Sequence, residues 1–247
     1  MLSFKNVSKR FGEVVACEGV SFDVGRGEFV FITGPSGAGK TTLIRLILAE
    51  LKPDEGRIEL DKVRIDDLRK GEVPTLRRRI GVVFQDFKLL SDRTVAENVA
   101  VGLQIRGEVG EDIERKVRAV LKLVGLSERA DFFPAQLAGG ELQRTVLARA
   151  VVVDPDLLLA DEPTGNLDKK TAWQIMELLA KINQSGTTVL MATHNEEVVK
   201  KMGKRVISME RGRIVGGEEK VKVSRRVEEK TEQKDETVRE GRMEEKE

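Results

Sequence analysis

Short apolar runs alternate with segments of helical spacing along most of the chain. Four of these runs have the pattern of strands buried on both faces of a sheet, at 29–33, 80–84, 157–160 and 187–193. Strands that alternate with helices in this way form parallel β-α-β units. The pattern therefore predicts an α/β fold with a mainly parallel core sheet.

The N-terminal part of the chain has a different pattern. Residues 2–8 alternate between apolar and polar side chains, and 14–24 form a second β region after a predicted turn at 9–12. A further turn at 52–56 precedes a short alternating strand at 57–60. We therefore expect an antiparallel β part beside the core sheet.

Residues 86–150 are predicted to form a mainly helical insertion into the α/β core. Thr94 and Glu97 make a capping box that starts one helix. The apolar residues between Glu111 and Gly125 follow helical spacing, and Gly125 is a suitable helix stop. This insertion is expected to form a helical subdomain.

The segment Gly34–Thr41, G-P-S-G-A-G-K-T, has the spacing of a phosphate-binding loop. It follows the apolar run at 29–33 and opens a helical segment, which is the context that such a loop requires. Lys40 is expected to reach the β- and γ-phosphates, and the Thr41 hydroxyl to ligate Mg²⁺. The predicted nucleotide-contacting residues here are Gly34, Pro35, Ser36, Gly37, Ala38, Gly39, Lys40, Thr41 and Thr42.

Polar residues end three of the predicted core strands, on the side where ligands bind in open α/β sheets. Gln85 could contact Mg²⁺ and the attacking water, or could be an ordinary strand-capping amide. Asp161 would hold Mg²⁺ and Glu162 would polarise the water, whereas a solvated acidic loop is the alternative. His194, the only histidine, is either incidental or acts at the γ-phosphate. Successive strand residues point to opposite sides, so Asp161 and Glu162 need not share one role.

Three further features have weaker signals. Phe11 could stack on adenine or pack in the core. Ala138, Gly139 and Gly140 open a predicted helix, with free backbone N–H groups that suit either an anion or a plain helix start. Asp168 is expected to cap the next helix.

Composition limits the classes of function. A net charge of +1 gives no sign of a nucleic-acid partner, and the one cysteine, Cys17, excludes an internal disulfide framework. No apolar run is long enough to span a bilayer, and the N-terminus does not have the pattern of a signal peptide. Any membrane role is therefore expected to need a partner. Residues 217–247 are dominated by charges of both signs and predict a solvated, flexible tail.

These motifs, in this order, resemble the nucleotide-binding subunit of ABC transporters over residues 1–216. The resemblance implies a P-loop ABC-type domain that binds ATP and Mg²⁺ and hydrolyses ATP to ADP and phosphate. In that family two copies sandwich two ATP molecules head to tail. One copy would supply the phosphate loop, Gln85, Asp161, Glu162 and His194, and its mate would supply Ala138, Gly139 and Gly140. Asp168 is a further predicted nucleotide contact.

Within that family the chain is most similar to the FtsE branch of cell-division ATPases, through 72–78, 80–86 and 89–95. That resemblance implies an FtsX-like integral membrane partner, with the chain bound peripherally at the cytoplasmic face. Phe87–Val95 would belong to the docking surface. The alternative is an ATPase of a lipoprotein-release or macrolide exporter, which shares 159–168. A protein acting on DNA or ribosomes, and a nucleotide-dependent scaffold with negligible turnover, are more distant alternatives.

One position departs from the family pattern. Where the family usually has serine, this chain has Ala138. The missing hydroxyl would help to bind the opposite γ-phosphate, and one such hydrogen bond contributes about 0.5 to 1.5 kcal/mol. We therefore expect ATP-driven closure to be weakened rather than abolished.

Overall fold

The computed structural model describes residues 1–216, so the charged tail predicted at 217–247 lies outside the described residues. The strands are β1 (Leu2–Phe11), β2 (Val14–Val24), β3 (Phe29–Thr33), β4 (Glu55–Leu60), β5 (Val63–Arg64), β6 (Ile80–Val83), β7 (Leu157–Asp161), β8 (Thr188–Thr193), β9 (Arg205–Glu210) and β10 (Arg213–Gly216). The α-helices are α1 (Lys40–Ile47), α2 (Val73–Arg77), α3 (Val95–Ile105), α4 (Glu111–Leu123), α5 (Gly139–Val151), α6 (Lys169–Gln184) and α7 (Glu196–Met202). Two single 3₁₀ turns occupy Ser127–Arg129 and Pro134–Gln136.

The core is a six-stranded sheet with the order β10-β9-β3-β8-β7-β6. All neighbouring strands in it are parallel except β10, which is antiparallel to β9. Because β3, β8, β7 and β6 are adjacent and parallel, the residues that follow them meet at one edge of the sheet. The predicted α/β fold with a mainly parallel core sheet is confirmed.

Alternate residues of the core strands contribute to two hydrophobic clusters, one on each face of the sheet. Phe31 packs with the helices α3 to α6 on one face, while Ile32 packs with α1 and the antiparallel sheet on the other. The same alternation separates Leu158 from Leu159 in β7. Both faces are covered, which explains why these strands are continuously apolar in the sequence.

The second sheet is antiparallel, with the order β2-β1-β4-β5. The turn predicted at 9–12 is wrong in position, because Lys9, Arg10 and Phe11 belong to β1 and the chain reverses at Gly12 and Glu13. Because Lys9 and Arg10 are polar, the sequence pattern did not indicate that the strand continues through them. The Asp54 carboxylate stabilises it by accepting hydrogen bonds from Lys9 Nζ and from the backbone N–H of Arg10, both at 2.7 Å. The turn predicted at 52–56 likewise extends too far, since β4 begins at Glu55.

The helices between β6 and β7 pack together, mainly as α3 against α5 and α4. The capping box predicted at the start of α3 is present. Thr94 Oγ1 accepts from the N–H of Glu97 at 3.2 Å, and Glu97 Oε2 accepts from the N–H of Thr94 at 2.8 Å. Gly125 follows α4 with φ of 70°, a left-handed conformation that suits a helix end.

Candidate active site

The phosphate-loop segment lies between β3 and α1, as its sequence predicts. Two of its glycines are required by close backbone approaches. A Cβ on Gly34 would lie 2.2 Å from the carbonyl oxygen of Met209, and one on Gly39 would lie 2.3 Å from that of Ala16. Both residues also have positive φ, at 148° and 104°. The loop is thus pressed against β9 and β2, which fixes its position.

Lys40 is the first residue of α1, and its side chain turns back into the loop. The ammonium group donates hydrogen bonds to the carbonyl oxygens of Gly34 at 2.7 Å and Pro35 at 3.0 Å. The residue is only 7% exposed. This positive charge adds to the free N–H groups at the start of α1, and together they form an anion-binding pocket.

A cavity of about 600 Å³ opens beside the loop. It contains polar residues from the ends of β6, β7 and β8, which the topology brings to this edge. The lining residues are Val14, Val15, Ala16, Pro35, Ser36, Gly37, Ala38, Gly39, Lys40, Thr41, Thr42, Gln85, Asp161, Glu162 and His194. Its volume is within the range of small-molecule sites.

Thr41 and Asp161 meet across the cavity. The Thr41 hydroxyl donates to Asp161 Oδ2 at 3.0 Å. Burial raises the pKa of the Asp161 carboxyl, the nearby Glu162 raises it further, and the Thr41 hydrogen bond opposes both effects. A hydroxyl and a poorly solvated carboxylate beside a phosphate loop, with the Gln85 amide in the same cavity, are oxygen ligands that suit Mg²⁺. The donor set present therefore fits this ion.

Glu162 and His194 form the second polar pair of the cavity. Nδ1 of His194 lies 2.7 Å from Glu162 Oε1, and Lys40 Nζ lies 4.0 Å from the same oxygen. Glu162 has φ of 48°, so the chain leaves the strand conformation directly after Asp161. The expectation that strand alternation separates Asp161 from Glu162 is therefore wrong, because both side chains line one cavity.

Gln85 lies in the loop after β6 rather than at the end of the strand, because β6 ends at Val83. Its backbone carbonyl accepts a hydrogen bond from Asn166 Nδ2 at 3.4 Å. Two residues later the chain passes through Phe87 and Lys88, both with positive φ, and their carbonyl oxygens accept hydrogen bonds from Arg149. The Gln85 segment is thus connected to α5 in the helical region.

Four predicted nucleotide contacts form a separate cluster. Ala138, Gly139, Gly140 and Asp168 are in the described part of the chain but do not line the cavity. They are near one another, since a Cβ on Gly140 would lie 2.5 Å from Thr171 Cγ2. Asp168 caps α6 by accepting from the N–H groups of Lys170 and Thr171 at 3.0 and 3.1 Å. The predicted nucleotide contacts are therefore divided between the cavity and this separate cluster.

Phe11 does not line the cavity, but it pairs with Val14, which does. Its side chain is 43% exposed, so the core-packing alternative is wrong. The hairpin between β1 and β2 also brings Val15 and Ala16 to the cavity, and sequence reasoning missed these three small apolar residues. The sequence predicted a β region here, and nothing in it indicated contact with a loop some twenty residues later.

The residues 17–165 match the family described as ABC transporter. The chain belongs to this family. The curated "Cell division ATP-binding protein FtsE" of Bacillus subtilis is 50% identical over 219 residues, which cover 88% of this chain and 96% of that protein. The protein with the same name from Escherichia coli is 48% identical over 218 residues, or 88% of this chain and 98% of the relative.

A solved structure gives the same fold. A dimeric ATP-binding cassette in a post-hydrolysis state, bound to ADP and Pi, superimposes with a TM-score of 0.82 at 38% identity, over 90% of this chain and 99% of that one. Within residues 1–216, no helix combines the length and apolarity needed to cross a membrane. That part of the chain also contains no group of three or more His, Cys, Asp or Glu placed to hold a metal. Mg²⁺ usually needs only one or two carboxylates beside phosphate and water oxygens.

Proposed function

We propose that this protein is the ATP-binding and ATP-hydrolysing subunit of an FtsE–FtsX-like ABC complex that acts in cell division. The observation that carries the proposal is the single cavity that joins the phosphate loop to the Thr41–Asp161 and Glu162–His194 pairs. The similarity to curated FtsE proteins supports the cell-division assignment and does not favour the exporter alternative. We assign residues 1–216 to the ATPase domain and about 86–150 to its helical subdomain.

The loop and α1 bind the triphosphate in this proposal. Lys40 is held at the loop by two carbonyl oxygens, from which it can turn towards the β- and γ-phosphates. The backbone N–H groups from Gly37 to Thr41 bind phosphate oxygens. Phe11, exposed beside Val14 at the rim, is positioned to stack on the adenine ring.

Thr41, Asp161 and Gln85 would hold Mg²⁺, which neutralises charge on the phosphates when bound. The Thr41 hydroxyl and Asp161 are already in contact, so little rearrangement is needed. The ion would also relieve the cost of burying the Asp161 carboxylate, which is the largest cause of its raised pKa.

Glu162 acts as the general base that polarises the attacking water. Its carboxylate is oriented by His194 at 2.7 Å and lies 4.0 Å from Lys40. His194 also contacts the γ-phosphate, and Gln85, which lines the same cavity, helps to orient the water. In this assignment Asp161 binds the metal ion and Glu162 acts on the water.

Two copies complete the site. Ala138, Gly139, Gly140 and Asp168 lie away from the cavity of their own chain, so a head-to-tail dimer would bring them to the cavity of the mate. The dimeric cassette with ADP and Pi supports this arrangement. ATP then closes the dimer and hydrolysis opens it, and the partner transmits the motion.

Replacing Ala138 with Ser is expected to strengthen ATP-driven dimerisation. The added hydroxyl supplies a hydrogen bond to the opposite γ-phosphate, which contributes about 0.5 to 1.5 kcal/mol, or roughly two- to tenfold in affinity. Sedimentation of the Glu162→Gln protein with and without the Ala138→Ser change, at several ATP concentrations, measures this. Unchanged ATP affinity, dimerisation and turnover would disprove the role given to position 138.

We place the docking surface for an FtsX-like partner at Phe87–Val95 and the adjoining groove between α2, α3 and α5. The groove has a volume of about 400 Å³, and its described lining contains Arg77, Arg78, Arg106 and Arg149 but no Asp or Glu. Leu90 is 42% exposed, and its backbone is fixed by the buried Asn98 side chain, at 2.8 and 3.0 Å. The surface therefore presents a fixed apolar residue beside positive charge.

Leu90→Glu is expected to abolish co-purification of the membrane partner while leaving ATP binding intact. The carboxylate removes an exposed apolar contact and adds charge without entering the core. Leu89 is a poorer probe, because it packs partly against the main hydrophobic cluster. Val109→Glu is the matched control, since Val109 is 78% exposed and is not among the residues that line the groove. Equal recovery of the partner with both variants would reject this surface.

Capture of the tagged Glu162→Gln chain from native membranes with ATP tests the complex itself. Mass spectrometry of the co-purified proteins is expected to find an integral membrane protein with division or wall-hydrolase components. A lipoprotein carrier or export adaptor would support the exporter alternative. Recovery of no membrane protein at all would reject both.

A further inference from the structure

A second cavity of about 730 Å³ lies behind the phosphate loop, between α7 and the strands β9 and β10. Its apolar lining includes Val199, Val206 and Met209, together with Val215, which is 60% exposed. An exposed valine over an apolar floor is a surface that a further segment could cover. None of the roles proposed above uses this cavity.

The second cavity shares a wall with the candidate active site. Pro35 and His194 line both cavities. His194 contacts Glu162 on one side and faces the second cavity on the other. An occupant of the second cavity would therefore contact the same histidine that orients Glu162.

The rim of this cavity has more negative than positive residues. Its described lining contains Glu196 and Glu210 against one cation, Lys200. Lys200 is paired with Glu196 at 2.9 Å, so Glu210 is the carboxylate without a cation partner inside the cavity. Among the described residues, Glu210 pairs with Arg211, which is 4.0 Å away and 92% exposed. The cavity thus suits an occupant with apolar and basic side chains.

The chain itself contains such a segment close by. The described residues end at Gly216, directly after Val215 of the cavity lining. Residues 220–227, K-V-K-V-S-R-R-V, combine four cations with three valines and contain no Asp or Glu. The rest of the tail, from Glu228, is rich in acidic residues instead. The segment begins four residues after Gly216, so an extended chain places it within about 13 Å.

We propose that residues 220–227 bind in the second cavity of their own chain and contact His194 from behind the phosphate loop. The short connection gives the segment a local concentration in the millimolar range, so modest contacts suffice for binding. Because the two cavities share Pro35 and His194, occupation of one changes affinity at the other, and the coupling is reciprocal. The tail is in this way a regulatory element of the nucleotide site. Binding of the segment does not depend on the proposed cell-division role.

Disulfide cross-linking in the full-length chain tests this placement. One cysteine replaces Glu196 at the rim, and a second replaces Val223 in the segment. The control pair combines Glu196→Cys with Val238→Cys, a tail position outside the segment. The native Cys17 does not interfere, because it is fully buried and burial raises the pKa of its thiol to about 12.

Under mild oxidation, the Val223 pair is expected to form an intramolecular disulfide at least tenfold faster than the Val238 pair. Adding Lys220→Glu and Lys222→Glu should remove this preference, and a non-hydrolysed ATP analogue should change the rate. Equal rates for the two pairs would overturn the proposal. A disulfide only between two chains would assign the segment to a second copy instead. Equal rates together with tail-dependent sedimentation on phosphatidylglycerol vesicles would assign it to a lipid surface.

Discussion

Replacing Glu162 with Gln is expected to lower ATP hydrolysis by about 10²- to 10⁴-fold, the usual contribution of a general base. The amide keeps the size of the side chain and can still accept the hydrogen bond from His194, which now spans 2.7 Å. It can no longer take up a proton from water. ATP binding should be retained, because the phosphate loop and Lys40 are unchanged. Phosphate release and the affinity for a fluorescent ATP analogue measure the two effects.

Glu197→Gln is a suitable control for this substitution. Glu197 lies three residues after His194, is exposed and does not line the nucleotide cavity. Its neutralisation should leave turnover unchanged. Comparable rates near zero in the Glu162→Gln and unmodified proteins, even with the membrane partner present, would contradict the ATPase assignment and favour a nucleotide-dependent scaffold.

The conformation of Glu162 could not be predicted from the sequence. Continuous apolar runs located β7 and β8 correctly, because strands buried on both faces leave a strong pattern. The residue after a strand has no such pattern. Glu162 adopts a left-handed conformation, and its backbone N–H donates to the carbonyl of Ala192 at 2.9 Å, a partner thirty residues away in the chain. Only the folded chain reveals that contact.

Short elements were missed for a related reason. The helix α7 (Glu196–Met202) has seven residues, which is too few for a clear apolar period. Its end signals are nevertheless in the sequence: Asn195 accepts from the N–H of Val198 at 3.1 Å, and Gly203 stops the helix with φ of 58°. A search for capping residues, rather than for hydrophobic periodicity, could have found this helix.

The grouping of site residues was partly predictable. Parallel strands bring their carboxyl ends to one edge, so the meeting of Gln85, Asp161, Glu162 and His194 follows from the topology. The contribution of the β1–β2 hairpin does not, because it depends on the packing of Ala16 against Gly39. That contact joins the antiparallel sheet to the phosphate loop, and the strand pattern of β2 contains no information about it.

Asp161→Asn is expected to have opposite effects on activity and on stability. Loss of the carboxylate removes the charged ligand for Mg²⁺, and we expect a fall in Mg²⁺-dependent turnover of about 100-fold or more, since metal ions contribute several kcal/mol to such reactions. The amide oxygen can still accept the hydrogen bond that Thr41 donates at 3.0 Å. Phosphate release across a Mg²⁺ titration measures the first effect.

The stability effect follows from the raised pKa of Asp161. Burial is its main cause, followed in the same direction by Glu162, so the folded protein favours the protonated carboxyl. The contribution of this carboxyl to the free energy of unfolding is therefore present at acid pH, and it is lost as the pH rises through the pKa in the folded protein. At neutral pH the nucleotide-free Asp161→Asn protein should therefore unfold at higher temperature than the unmodified protein. The difference should shrink as the pH falls towards about 4, the ordinary value for Asp.

Asp156→Asn provides the matched control for this stability measurement. Asp156 precedes the same strand at its other end, and its carboxylate pairs with Arg79 Nε at 2.7 Å. Removing that charge breaks an ion pair instead of relieving an unfavourable burial, so the melting temperature should fall rather than rise. A Tm for Asp161→Asn that is lowered at neutral pH, in parallel with Asp156→Asn, would show that the Asp161 carboxylate stabilises the fold. In that case its burial could not be explained as a cost that a bound cation offsets.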